Sequence, residues 1–221
     1  MVRLQARMAA CRICLDAGYD IVPGAVFSGD VGARVLLFGQ APGITEQTIK
    51  RPFNGMSGTR LFKWLAEAGW DEDDFRQNHY MTAVTKCYPG RHKSGKGDRV
   101  PTKGEQRLCR PFLTQELNLI NPRLLILIGG LAIKQFYPAQ TRLRDVIGSG
   151  QFFSAEAAPN RLNFSLEGSE KVWEVQDEDG WYIVPLPHPS GASLWTNSAE
   201  NRALIARALA LLSNIREKYA L

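Results

Sequence analysis

Arg34-Val35-Leu36-Leu37-Phe38 runs without a break into Gly39-Gln40-Ala41-Pro42-Gly43. A continuous apolar run closed by a Gly/Pro turn reads as a strand buried on both faces. A second such passage occurs near the C-terminus, where Tyr182-Ile183-Val184-Pro185-Leu186-Pro187 leads into His188-Pro189-Ser190-Gly191. In an open α/β sheet, ligands bind in the crevice beyond the carboxyl ends of the strands. A Gly-rich turn offers backbone N–H groups at close range, and a histidine between two prolines is held stiffly. The two loops read as halves of one site that holds a ligand against a fixed imidazole, which points to catalysis.

Working outward, strand signals lie at 34–38, 80–84, 124–128 and 182–186, with helix signals between them. Ser57 to Gly69 is apolar at Leu61, Trp64, Leu65 and Ala68, the spacing of one helical face, and Gly69 stops it. Thr102-Lys103-Gly104-Glu105 is a capping box that opens a helix to about Asn121, with Pro111 as a possible break. Gly130 to Phe136 reads as a short helix, and about Ser198 to Tyr219 as a long one with a core-facing stripe at Leu204, Ile205, Ala208, Leu209, Leu212 and Ile215. Residues 151–181 suggest a strand pair outside the main sheet, and residues 1–30 only a short helix before Cys11. Alternating strands and helices imply an α/β fold. We expect a single domain over residues 1–221, with a central, mostly parallel four-stranded sheet and helices on both faces. A four-cysteine cluster is expected near the N-terminal segment.

The 221 residues are enough to bury a core without covalent staples, and 44% hydrophobic with 22% charged is ordinary for a soluble globular chain. The net charge of +5 suggests a polyanionic partner. Its distribution says more: between Thr85 and Arg110 stand Lys86, Arg91, Lys93, Lys96, Arg99, Lys103, Arg107 and Arg110, against only Asp98 and Glu105. This stretch is either a solvated loop or a phosphate-contacting surface. No segment approaches the ~20 apolar residues of a membrane span, and the N-terminus lacks a secretory h-region. The expected location is the cytoplasm, in a bacterial or archaeal cytosol or nucleoid, and no membrane partner is expected.

The four cysteines are Cys11, Cys14, Cys87 and Cys109. Cys11-x-x-Cys14 brings two thiols near one centre, and the other two come from elsewhere in the chain. Spacing alone leaves open scattered buried thiols, a zinc site and an iron–sulfur cluster. A metal held by all four would brace both flanks of the basic 88–108 loop, a structural role with no open coordination position.

Taken together, Cys11-x-x-Cys14, Gly39–Gly43, Pro52-Phe53-x-Gly55-x-x-Gly58, Tyr80–Cys87, Cys109 and His188-Pro189-Ser190-Gly191 resemble the uracil-DNA glycosylase superfamily. The branch they resemble is the iron–sulfur one containing families four and five. The resemblance runs from Cys11 to about Ser193. It implies a structural [4Fe–4S] cluster on the four cysteines and hydrolysis of the bond between uracil and its deoxyribose in DNA. Uracil-containing DNA would be the partner, free uracil a product, and a monomer the working form. The target base would leave the stack and enter a pocket. Phe53 would stack on it, with Gly39, Ala41 and Ala83 around it. His188 would hydrogen-bond uracil O2 and stabilise the departing anion, assisted by backbone N–H groups near Gln40 and Ala41.

Two departures from the family pattern matter. Iron–sulfur relatives often carry a carboxylate where this chain has Gln40, and an amide can orient water but not take its proton. Gln40 would then orient the water, while Glu46 contributes charge that stabilises the cationic sugar. Family four usually has Asn in place of Ala83, whereas family five tends to small residues there, so discrimination against other deaminated bases is open. On the DNA side, Ser57 at a helix start, Ser190, Gly191 and Ser193 would meet phosphates. Leu194 or Trp195 would fill the vacated stack, and Arg91 and Lys93 would add sequence-independent contacts. His79 and His92 read as surface residues. Competing readings are a glycosylase for hypoxanthine or xanthine and a non-catalytic, metal-braced DNA-binding module. A phosphate cradle at Gly39–Gly43 is weaker, because the loop lacks both the P-loop Lys-Ser/Thr and the full GxGxxG spacing.

Overall fold

The apolar runs do form the strands, and a computed structural model describes residues 1–95, 97–190 and 194–221, the Leu194 side chain excepted. The strands are β1 (Val35–Gly39), β2 (Tyr80–Ala83), β3 (Leu124–Ile128), β4 (Gly150–Phe153), β5 (Glu170–Val172) and β6 (Trp181–Leu186). They form one sheet in the order β2-β1-β3-β6-β4-β5. The four expected strands pair in parallel, β2 with β1, β1 with β3 and β3 with β6. The expectation of a four-stranded sheet is corrected, because β4 adds antiparallel to β6 and β5 antiparallel to β4, giving six strands of mixed direction. The strand pair expected apart from the sheet is therefore part of it.

Every residue of β1, β2, β3 and β4 is buried, so both faces of the sheet are covered there. The covering helices are α1 (Val2–Ala9), α2 (Ile13–Asp16), α3 (Ile44–Ile49), α4 (Met56–Glu67), α5 (Glu72–Asn78), α6 (Lys103–Ile120), α7 (Gly130–Ile133), α8 (Leu143–Val146), α9 (Ala158–Leu162) and α10 (Ala199–Tyr219). Among the described residues no helix is long and apolar enough to cross a membrane. The box at Thr102 forms as read: Thr102 accepts from the Glu105 N–H, and Glu105 accepts from the Thr102 N–H. Pro111 lies inside α6 without ending it.

Pro185 shows how this strand tolerates a residue without an N–H. β6 pairs with β4 only through Trp181, Tyr182 and Ile183. Pro185 lies beyond that pairing, where its missing donor removes no bond toward β4. The chain emerges as Pro187-His188-Pro189 at the same end of the sheet as the turn after β1.

The N-terminal segment covers the free edge of β2. Ser28 and Met81 exchange backbone hydrogen bonds, Val26 N–H donates to the Lys86 carbonyl, and Val22 N–H to that of Tyr88. Leu4 and Met8 of α1 pack with Cys109 and Phe112 of α6. This strap carries Cys11 and Cys14 to the flank of β2 that leads into Cys87.

His79 overturns its reading as a surface residue, being only 4% exposed. Its ring stacks edge-on against Phe75 and Trp70, and both ring nitrogens lack hydrogen-bond partners. Burial pushes its pKa down to about 4, against Asp74, which raises it, and with Arg34 and Arg216 lowering it further. Unfolded, the ring takes a proton near its ordinary 6.5, so the unfolded state binds more protons between pH 6.5 and 4. Stability from this residue is complete above that window. It is lost as pH falls through it, by up to about 3 kcal/mol. The urea midpoint of wild type should therefore fall between pH 7 and pH 5, and His79→Leu should fall markedly less; parallel declines would contradict the assignment.

Candidate active site and thiol cavity

Beyond the carboxyl ends of β1, β2 and β6 lies a cavity of about 750 Å³. Gly39, Gln40, Ala41, Gly43, Glu46, Phe53, Ser57, Thr82, Ala83, His188 and Ser190 all line it. The two loops read as half-sites therefore do meet. Backbone bonds lock the first loop to the end of β2, with Val84 N–H donating to Gly39 O at 3.0 Å and Thr85 N–H to Gln40 O at 3.3 Å.

Phe53 is held in an uncommon backbone state, φ +50°, which a bulky residue adopts only at a cost of about 1–2 kcal/mol. Arg76 secures it. Its guanidinium donates to the carbonyls of Pro52 and Phe53, both at 2.9 Å. It also pairs with Glu72 at 2.8 Å and lies 4.2 Å from the centre of the Phe62 ring. The Phe53 ring closes on Gly39, where an added Cβ would stand 3.1 Å from Cζ. A flat apolar ring is thus fixed against the turn after β1.

His188 is half-buried, and its Nδ1 accepts from the Ser190 N–H at 3.2 Å. A neutral ring with Nδ1 accepting carries its proton on Nε2. Burial lowers the His188 pKa, while Glu46 pulls it the other way. The favoured state is a neutral imidazole with an Nε2–H donor. Ser190 is braced in turn by Arg60, which donates to its carbonyl at 3.2 Å. Glu46 is anchored by the Gly55 N–H, which donates to its Oε1 at 3.1 Å.

On the β2 side, Lys86 and Glu116 form an ion pair at 2.5 Å with side chains 2% and 0% exposed. Lys86 Nζ also donates to Thr82 Oγ1 and to the Ala83 carbonyl, both at 2.7 Å. Tyr80 donates to Glu116 at 2.9 Å and Thr82 at 3.1 Å. The Lys86 backbone N–H points the other way, onto Cys109 Sγ at 3.4 Å.

That sulfur belongs to a second, mainly apolar cavity lined by all four cysteines with Met8, Leu108 and Phe112. Burial pushes the Cys14 thiol up to about 12, with Cys109, Cys87, Glu105 and Cys11 adding to it. Burial and Cys109 push Cys87 up to about 11. Among the described residues no three His, Cys, Asp or Glu side chains close on a single-ion site; the thiols ring a cavity instead.

The chain matches the model of the Uracil DNA glycosylase superfamily over residues 26–213. It belongs to that superfamily. Among its curated relatives, the Type-4 uracil-DNA glycosylase of Thermotoga maritima is 32% identical over 130 residues, 59% of this chain and 60% of the relative. The Type-4 enzyme of Pyrobaculum aerophilum is 30% identical over 129 residues, covering 58% and 59%. The Type-5 uracil-DNA glycosylase of Thermus thermophilus is 36% identical over 124 residues, covering 51% and 52%. The chain thus spans about 60% or less of the length of these relatives.

Against this superfamily frame, most expected site residues come together. Arg91 and Lys93 lie exposed on the loop after β2, away from the cavity wall. The basic stretch is not uniformly available. Lys86 is buried in its pair, Arg99 is clamped to Glu105 at 2.6 Å, and Arg110 lies over the Phe164 ring and donates to Gln135. Gly191, Ala192, Ser193, Lys96 and the Leu194 side chain lie outside the described residues. Trp195 is partly buried and packs against the core. Met56, 90% exposed beside the cavity, is an apolar rim residue the sequence did not single out. Asp98 and the Lys86–Glu116 pair were also missed; one acid among four basic residues at 91–99, and a lysine directly before a cysteine, were the available signals.

Breaking a buried pair strands a charge, which typically costs about 3–5 kcal/mol. Glu116→Ala should lower stability to urea by that order. Lys86→Met combined with Glu116→Leu should recover most of the loss, and a single variant with the wild-type midpoint would contradict the pair's role.

Proposed function

We propose that this chain is a DNA glycosylase that draws uracil out of DNA and hydrolyses its N-glycosidic bond, leaving an abasic site. What supports this reading is that His188, whose Nδ1 accepts from Ser190, lines one cavity with the turn at 39–43 and the Phe53 ring. The flipped base stacks on Phe53, with Gly39, Ala41 and Ala83 forming its surround. As the glycosidic bond lengthens, its electron pair moves onto the base, and the charge gathers on a carbonyl oxygen. Nε2–H of His188 donates to that oxygen, a contact that strengthens as the charge develops. Because the imidazole is neutral, it stabilises the anion without first giving up a proton. Gln40 orients the water through its amide oxygen, and Glu46 offsets positive charge on the sugar.

Ser57, at the uncapped start of α4, and Ser190 meet the flanking phosphates through short side chains and backbone N–H groups. Arg91 and Lys93 add contacts that ignore sequence. The molecule works as one unit over its 221 residues and as a monomer, releasing free uracil.

Cys11, Cys14, Cys87 and Cys109 hold a [4Fe–4S] cluster. Four cysteines that line one mainly apolar cavity without closing on a single-ion position suit a multi-atom core better than one zinc ion. When bound, the cluster supplies charge neutralisation and cross-linking, tying α2, α6 and the segment after β2. The expected colour is brown, with broad absorbance near ~400 nm, and Cys87→Ser should reduce both absorbance and iron content. A colourless protein with one equivalent of zinc would reject the cluster.

A second reading, excision of further deaminated bases such as hypoxanthine or xanthine, has its own support. The polar groups of Thr82 and Ala83 at the cavity wall are already engaged by Lys86 and Glu116. A wall without a free polar partner rejects the wrong base weakly.

Incubation with oligonucleotides carrying one uracil, hypoxanthine or xanthine, followed by alkaline cleavage of abasic product, tests both readings. Uracil should be excised, and His188→Ala should slow it about 100- to 1000-fold. Retention of DNA with no lesion cleaved by wild type would replace this reading with a binding module.

A further inference from the structure

The loop after β2 brings a second carboxylate to the cavity. Asp98 is exposed and lines the same cavity as His188. Tyr88 donates to its Oδ1 at 2.9 Å, and an antiparallel bridge between Arg91 and Asp98 fixes the backbone there. The other oxygen turns inward. A Cβ placed on Gly43 would stand 3.2 Å from Asp98 Oδ2 and 2.7 Å from Glu46 Oε2. The two carboxylates therefore converge over one glycine of the first loop, and any side chain there would push into them.

A negative group at the mouth of a nucleic-acid cleft repels phosphate and costs affinity. It also interrupts a run of basic residues, Arg91, Lys93, Lys96 and Arg99. Its placement is explained by positive charge that appears only during reaction. The base goes deep, onto Phe53, so the sugar remains at the mouth. Glu46 is half-buried beside Gly43, its Oε1 held by the Gly55 N–H. Asp98 is the more exposed of the two and is carried by a different element, which puts it toward the sugar and the incoming water.

Resting on the glycosylase reading, we propose that Asp98 is a further catalytic residue, the carboxylate that holds the attacking water and takes its proton. In the step, the C1′–N bond breaks with its electron pair leaving on the base. Water oxygen bonds to C1′, and the proton it sheds passes to Asp98 Oδ2. Gln40 cannot accept that proton, and Asp98 supplies what its amide lacks. Tyr88 is a positioning residue: burial and the Asp98 contact raise its pKa, so it stays a donor and leaves Oδ2 as the accepting oxygen.

The test is single-turnover excision of uracil from a single-lesion oligonucleotide at saturating protein. It is paired with binding of an oligonucleotide carrying a tetrahydrofuran abasic analogue. Asp98→Asn keeps the size and can still accept from Tyr88. It should lose about 100-fold or more in rate, within the range for a general base, while binding the analogue as tightly as wild type or more tightly. Asp98→Glu should recover part of the rate. Asp98→Asn excising within threefold of wild type would overturn the proposal. So would a rate loss matched by an equal loss of analogue binding, since that marks a collapsed loop. Wild type inert on every lesion would instead overturn the glycosylase reading beneath it, and this proposal with it.

Discussion

The contact on which the site depends is the buried pair of Lys86 and Glu116. Two charges withdrawn from water are costly, and they persist only where every remaining donor and acceptor is used. Here they are: the ammonium also bonds Thr82 and the Ala83 carbonyl, and the carboxylate also receives Tyr80 and Thr82. The pair fastens α6 to the end of β2 at the point where that strand becomes loop. One side of this junction is the wall of the larger cavity; the other is Cys87, and the Lys86 N–H reaches Cys109. A single buried interaction thus lies between the thiol ring and the wall of the larger cavity.

The fold was legible where hydrophobicity was continuous. Val35–Phe38 and Leu124–Ile128 are buried along their whole length, and an uninterrupted apolar run has few alternatives to a covered parallel strand. The capping box at Thr102 was equally readable, because its two hydrogen bonds depend only on residues three apart. β4 and β5 were seen as strands but misplaced. Their sheet membership depends on Phe152 meeting Tyr182, a contact thirty positions away that no local pattern carries. The short helices α3, α5, α8 and α9 span too few turns to show a period, although Asp71 caps α5 through its side chain.

The site divides the same way. His188, Gln40 and Phe53 sit in or beside Gly/Pro turns following or facing strands, a setting sequence displays. Asp98 and Arg76 do not advertise themselves. Asp98 is one acid in a basic stretch, and its meaning comes from its carboxylate reaching over Gly43. Arg76 is one charged residue on a short helix, yet it donates to two carbonyls 23 and 24 residues away and so maintains the strained turn at Phe53. His79 misled for the opposite reason. A histidine beside a strand usually keeps a polar partner, but this ring is packed as an aromatic, uncharged and with no hydrogen bond at either nitrogen.

Electrostatically, the cavity is arranged as a gradient and not as a uniformly basic cleft. Half-buried and kept neutral, the His188 imidazole offers a dipole where negative charge would gather. Carboxylates of Glu46 and Asp98 gather on the side of Gly43, where positive charge would form. Two opposite charges separating between them would each meet a preplaced partner, and the apolar Phe53 and Ala83 walls, which screen charge less than water, would strengthen both interactions. Such a layout binds an uncharged ground state no better than ordinary apolar contact does. Its preference is for charge separation itself, and this is the physical reason the arrangement suits heterolysis of a neutral nucleoside bond better than capture of a phosphate or a cation.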